Sequence, residues 1–212
     1  MSELELVCAD ASVLINILGS GVPSEILEAV GARVVVTEQV FREVKRCPFE
    51  GENVSAPLIP LREGGYLEVV ELDEVSLELF VSLAGAVPPN DLDDGEASTI
   101  AYGVAHNGAV VLDERKGRRI CREKFPQLRT LCSMDLFRLH FEALGRDLPR
   151  SCAALLGAIE RTRMHIPQAY RAWTKEILSY RKVTDFSLTS NRKLSRKNPG
   201  DQPTDRSPGR LD

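Results

Sequence analysis

Asp10 closes an apolar run, Leu4 to Ala9, and Asp113 closes another, Ala109 to Leu112. A basic cluster follows the second run at once: Arg115, Lys116, Arg118 and Arg119. A short apolar run bounded by Gly and charge reads as a buried strand, and in open α/β sheets ligands bind beyond the carboxyl ends of strands. Two further acids stand on helix edges. At about 100° per residue, Glu43 falls about 60° from Val40 and Glu96 about 40° from Ile100, so each borders an apolar face. Asp93 and Asp94 stand just before Glu96.

Carboxylates gathered in one place repel and raise one another's pKa. A divalent cation removes that cost, and an all-oxygen donor set suits Mg²⁺ or Mn²⁺. Each acid also has a plainer role. Asp10 and Asp113 can cap the helices after them, Asp93 with Glu96 fits a capping box, and Asp94 suits a helix dipole. Glu43 can pair with Lys45 or Arg46 on a solvated face. Taken singly, these readings suffice. Taken together, two acids past neighbouring strands and two on helix edges that face one crevice favour a shared cation.

The elements that must position them alternate in type. Strands are expected at Leu4–Ala9, Arg33–Val36, Tyr66–Leu72, Ala109–Leu112 and Leu128–Cys132. Between them the pattern predicts helices over Ala11–Leu18, Pro23–Val30, Glu38–Arg46, Ser76–Leu83, Gly95–His106, Arg115–Lys124 and Met134–Leu144. Residues 48–65 and 85–94 are rich in Pro, Gly and charge and read as loops, the first with short helical pieces. Strand–helix alternation implies βαβ units. The expected fold is a three-layer α/β/α sandwich with a mostly parallel sheet of about five strands, over residues 1–148.

Residues 149–186 read as a C-terminal helical extension, with helices over Ser151–Met164 and Gln168–Val183 broken at Ile166-Pro167. Tyr170, Trp173, Ile177 and Tyr180 share one side, expected to pack on the main domain or on a second subunit in a homodimer. Residues 187–212 turn to Ser, Asn, Pro, Gly and charge and read as a disordered polar tail.

Composition agrees with a cytoplasmic globular protein: 43% hydrophobic, 27% charged, net charge −4. That charge argues against a uniformly cationic nucleic-acid binder while leaving room for a local basic patch. Five Cys without a CxxC pair read as reduced residues. No apolar run approaches the roughly 18 residues of a membrane span. His106, His140 and His165 lack ligand spacing, and no Gly-rich phosphate loop or supported Ser-His-Asp set is present.

Four stretches, VCADASVLINIL, VTEQVFREV, LDDGEASTIAYGVAHNG and AVVLDERKGRRICRE, occur in the order found in PIN-domain nucleases. The chain resembles that family, closest to a toxin-like branch with a G-E-A motif, over roughly residues 5–140. The resemblance implies a Mg²⁺- or Mn²⁺-dependent endoribonuclease, the toxin of a toxin–antitoxin pair, held inactive by a small antitoxin. It maps the family's metal-holding acids onto Asp10, Glu43, Glu96 and Asp113. Ser12 matches a hydroxyl residue that orients ligands or water, and Asp94 is an additional catalytic candidate. Many relatives carry Asp where Glu96 stands. Lys116, Arg118 and Arg119 are the expected contacts to the RNA backbone, against the plainer reading of an exposed helix face. The competing functional class is a catalytically silent PIN scaffold that binds RNA or a protein partner.

Overall fold

The computed structural model describes residues 4–44 and 55–180. Five strands form the sheet: β1 (Leu6–Ala9), β2 (Arg33–Thr37), β3 (Glu68–Val70), β4 (Ala109–Val111) and β5 (Arg129–Leu131). Their order is β3-β2-β1-β4-β5, and every pairing is parallel. The three-layer α/β/α architecture read from the sequence is the one observed.

Strand alternation explains why the runs are apolar throughout. Val7 and Ala9 of β1, Val34 and Val36 of β2, and Ala109 and Val111 of β4 face one core. Leu6 and Cys8, Val35, and Val110 face the other. A parallel sheet covered on both sides has no solvent face, so neither set can be polar. The first core is closed by α1 (Ala11–Gly19), α2 (Pro23–Glu28), α3 (Glu38–Val44), α4 (Ser55–Glu63), α8 (Ser133–Ala143) and α9 (Leu148–Thr162). The second is closed by α5 (Glu74–Ala84), α6 (Asp94–Ala105) and α7 (Arg115–Lys124). Leu14, Ile17, Ile26, Ile100 and Ile120 are among the fully buried anchors, each contributing about 1.5–3 kcal/mol relative to exposure.

Helix ends follow local chemistry. Asp10, Asp73, Asp93 and Asp147 accept from backbone N–H groups in the first turns of α1, α5, α6 and α9. Asn107 ends α6 with a positive φ of 51°, and Gly108 N donates back to Gly103 O at 2.9 Å. That is the helix-closing role expected of Asn107-Gly108. Of the stretch 48–65 only residues 55–65 are described, and there the helical part expected within the loop is one nine-residue helix, α4, despite Pro60 in its interior. Its Leu58 and Leu61, one turn apart, are both buried in the first core. Tertiary burial there outweighs the lost backbone hydrogen bond.

Beyond the sheet, α9 buries Ala154, Leu155 and Ala158 in the first core. A 3-10 turn, Gln168–Tyr170, leads into a last helix, 171–180, whose Ile177 reaches the same core. The expected polar tail at 187–212 lies outside the described residues, as do Lys45, Arg46 and Cys47. Among the described residues Cys8, Cys121, Cys132 and Cys152 are free and buried, and no helix is long and apolar enough to cross a membrane.

Candidate active site

Each acid reaches its place through the element that carries it. Ala9 of β1 pairs with Val111 of β4, so Asp10 and Asp113 leave the sheet on adjacent strands at the same edge. Asp10 N donates to Val111 O at 3.2 Å, which fixes the backbone there. The Asp10 side chain accepts from Ser12 Oγ at 2.8 Å and Ser12 N at 3.3 Å and is buried. It therefore caps α1 and is oriented by Ser12 at the same time.

Glu43 and Asp93 meet Asp10 across Gly95. A Cβ placed on Gly95 would stand 2.6 Å from Glu43 Oε2, 3.4 Å from Asp10 Oδ1 and 3.5 Å from Asp93 Oδ1. Three carboxylates from three elements thus border one point, where an added Cβ would crowd Glu43 and touch the other two at about ordinary contact distance. Glu96, the next residue, is 2% exposed, and its Oε1 is buried with no hydrogen-bond partner. A Cβ on Gly117 of α7 would lie 2.7 Å from that oxygen. The expected capping box is half made. Asp93 accepts from Glu96 N at 2.7 Å, while the Glu96 side chain turns inward.

The electrostatics match this crowding. Burial pushes the Asp10 carboxyl up to about 6, with the charge of Asp93 adding to it and the bonds from Ser12 and Ala11 opposing it. Burial pushes Glu96 up to about 7, with help from Asp93, Glu114 and Asp10 and against the pull of Lys116. Glu43 is raised by burial first, then by Asp10, Asp93, Glu114 and Asp94. Much of Glu43 is open to solvent, but its Oε2 lies against α6, so its charged end is the crowded part.

Asp113 is held differently. Its Oδ1 accepts from Ser133 N at 2.8 Å, and its Oδ2 accepts from Ser133 Oγ at 2.6 Å and Asn16 Nδ2 at 2.7 Å. It serves the first residue of α8 and does not cap α7, whose N-cap Glu114 makes no side-chain cap bond. Asp94 is exposed in the first turn of α6. The basic residues of α7 are partly engaged: Lys116 Nζ stands 3.4 Å from Asp91, and Arg119 bonds Glu123, Pro89 O and Asn90. Arg118 Nε is buried without a hydrogen-bond partner. Sequence reasoning passed over Glu114, Asn16 and Ser133. Glu114 adjoins Asp113 and reads as part of a charge run, and nothing in the spacing of Asn16 and Ser133 ties them to an acid far along the chain.

An oxygen-only donor set around a buried, unpartnered carboxylate oxygen fits a hard divalent cation. Among the described residues no three acids, imidazoles or thiols already stand close enough to share one ion. Mg²⁺ commonly keeps several waters and takes few carboxylates directly, which suits a set of this spread. Two surface clefts, of about 690 and 630 Å³, lie at the amino ends of the strands, lined by Glu5 and Gly31 with Arg33 and Tyr66 or with Arg129 and Asp135. Neither is lined by the acids above, so the acidic cluster and not these clefts is the chemical candidate.

Comparison with curated proteins gives no match, and comparison with solved structures gives none. A family profile described as a PIN domain matches residues 6–131, from the start of β1 to the end of β5. That family is a nuclease fold whose members generally depend on divalent metal ions. With the profile spanning more than half of the sequence and the whole parallel sheet, the chain belongs to the PIN-domain family.

Proposed function

We propose that the protein is a Mg²⁺- or Mn²⁺-dependent endoribonuclease of the G-E-A branch, acting as the toxin of a toxin–antitoxin pair. The observation that carries the chemistry is the meeting of Asp10, Glu43 and Asp93 at Gly95 beside the unpartnered Glu96 Oε1. Asp10, Glu43, Glu96 and Asp113 would hold the cation, with Ser12 orienting Asp10. When bound, the cation supplies Lewis acidity, lowering the pKa of a water and offsetting charge on the phosphate. Glu43 or Asp94, both exposed, takes the proton of the attacking water and returns it to solvent. The water oxygen bonds to phosphorus and the bond to the 3′ oxygen breaks, that oxygen taking a proton from solvent, which leaves a 5′-phosphate and a 3′-hydroxyl. Lys116, Arg118 and Arg119 of α7 hold the RNA backbone next to the acids. For Lys116 and Arg119 this means exchanging Asp91 and the 89–90 loop for phosphate. The toxin role and the small antitoxin rest on the resemblance of the G-E-A stretch.

The test is cleavage of single-stranded RNA with and without Mn²⁺. Activity is expected with Mn²⁺, lost on chelation, and reduced by about 100-fold or more in Asp10→Asn and Glu96→Gln. Undiminished cleavage in both variants would remove the assignment. The second reading, a silent scaffold, draws on Glu96 standing where many relatives carry Asp and on the helices that extend beyond the matched residues. It requires RNA or protein binding with no Mn²⁺-dependent cleavage.

A further inference from the structure

The matched profile stops at residue 131, yet the acidic edge is tied to a helix beyond it. Asn16 of α1 is 7% exposed and uses both ends of its amide. Its Nδ2 donates to Asp113 Oδ2 at 2.7 Å and lies 3.3 Å from Ser133 Oγ. Its Oδ1 accepts from Thr162 Oγ1 at 2.6 Å. Thr162 is the last residue of α9, and Ala158 O also lies 2.6 Å from its hydroxyl, whose single hydrogen serves one of these two acceptors at a time. The line Thr162–Asn16–Asp113–Ser133 joins α9, α1, the end of β4 and the start of α8.

An Asn amide has one donor end and one acceptor end. Turned over, Asn16 would set its carbonyl oxygen against the Asp113 carboxylate, two acceptors facing each other. The orientation seen leaves Oδ1 in need of a donor on the other side, and the Thr162 hydroxyl, when turned from Ala158 O, is that donor. The contact is close-set: Thr162 Cγ2 would lie 2.4 Å from a Cβ on Gly19, and a Cβ on Gly157 would meet Gly19 O at 2.9 Å. Arg161 adds a bond to Gly19 O at 3.2 Å. Two small residues let α9 approach α1 closely enough for the hydroxyl to reach.

We propose that Thr162 is a positioning residue for the nuclease site: through the Asn16 amide it fixes the direction of the Asp113 carboxylate, so that α9 completes the site. This rests on reading the acidic cluster as the metal-dependent centre. Partners of ligating carboxylates change metal affinity or activity by about 10- to 100-fold when removed, and Thr162 stands one residue further out.

The experiment uses the full chain and its Thr162→Val, Thr162→Ala, Thr162→Ser and Asp113→Asn variants. Mn²⁺ affinity is measured by paramagnetic resonance, kcat and KM on single-stranded RNA by initial rates, and stability by urea. Thr162→Val, which keeps the shape, is expected to weaken Mn²⁺ binding by about 3- to 10-fold and to lower kcat with KM unchanged. Thr162→Ser, which restores the hydroxyl, stays within about twofold of wild type. If the Val variant does not fold, the Ala variant must show the same loss in metal affinity. Wild-type affinity and kcat in a folded Val or Ala variant, with Asp113→Asn impaired, overturns the proposal and leaves the nuclease reading standing. Absence of Mn²⁺ binding in the wild-type chain overturns both.

Discussion

Glu96 turns its Oε1 onto Gly117, so that a single added Cβ on the neighbouring helix would stand 2.7 Å from a buried carboxylate oxygen without a partner. In an ordinary helix interior, Gly→Ala stabilises by about 0.5–1 kcal/mol. Here the added methyl must displace the carboxylate. Gly117→Ala is therefore expected to lose about 1 kcal/mol or more in the wild-type background. In a Glu96→Ala background it should regain the helix advantage and stabilise. Urea denaturation of the double-mutant cycle measures the difference in sign, and an equal effect in both backgrounds would break the assignment of Glu96 to this contact.

Gly95 makes a second prediction. Gly95→Ala sets a methyl 2.6 Å from Glu43 Oε2 and 3.4 Å from Asp10 Oδ1. Gly95 lies in the first turn of α6, where alanine costs the helix nothing. Folding stability is expected to stay within about 1 kcal/mol of wild type. Mn²⁺ affinity should fall by about 10-fold or more, because the Glu43 carboxylate is pushed away from Asp10. Titration calorimetry beside a thermal melt separates the two effects, and unchanged affinity would show that the metal does not sit against Gly95.

The pH dependence has a definite sign. Asp10 and Glu96 are raised in the folded state to about 6 and about 7, from ordinary values of 3.8 and 4.5. The folded protein thus keeps protons that the unfolded chain releases first. Their contribution to stability is fully present below the ordinary values and is lost as pH rises through about 6 and then about 7. Without divalent cation, melting temperature should fall across that interval and level off above it. Mn²⁺ should stabilise more at pH 8 than at pH 5, since it replaces those protons. Glu96→Gln should flatten the metal-free profile. A metal-free melting temperature that climbs from pH 5 to pH 8 would contradict the burial of these acids.

Much of this arrangement could be read from residue types. The apolar runs ending in Asp10 and Asp113, and the helix-edge positions of Glu43 and Glu96, follow from periods of 2 and 3.6 that any observer of the chain can count. Two of the plainer roles also hold, since Asp10 and Asp93 do cap their helices. What periodicity does not carry is the direction of a side chain after the fold closes. Asp113 turns to Ser133 and Asn16, partners 20 and 97 residues away, and no local pattern announces that. Glu114, exposed and adjacent, adds its charge to Glu43 and Glu96. The extent of α4 is less legible than the presence of helix in that loop, because Pro60 and Gly64-Gly65 mark a turn locally, while the burial of Leu58 and Leu61 is decided by distant strands and helices. Likewise, the basic run on α7 gave no hint that Arg119 would clasp the 89–90 loop.

The tie between α1 and α9 bears on how the molecule is made. The carboxylate partner of Asn16 lies 97 residues further along the chain and its hydroxyl partner 146. The second of these bonds forms only when α9 docks on α1. A chain lacking α9 would keep Asp113 against Ser133 but leave the Asn16 carbonyl without its hydroxyl donor.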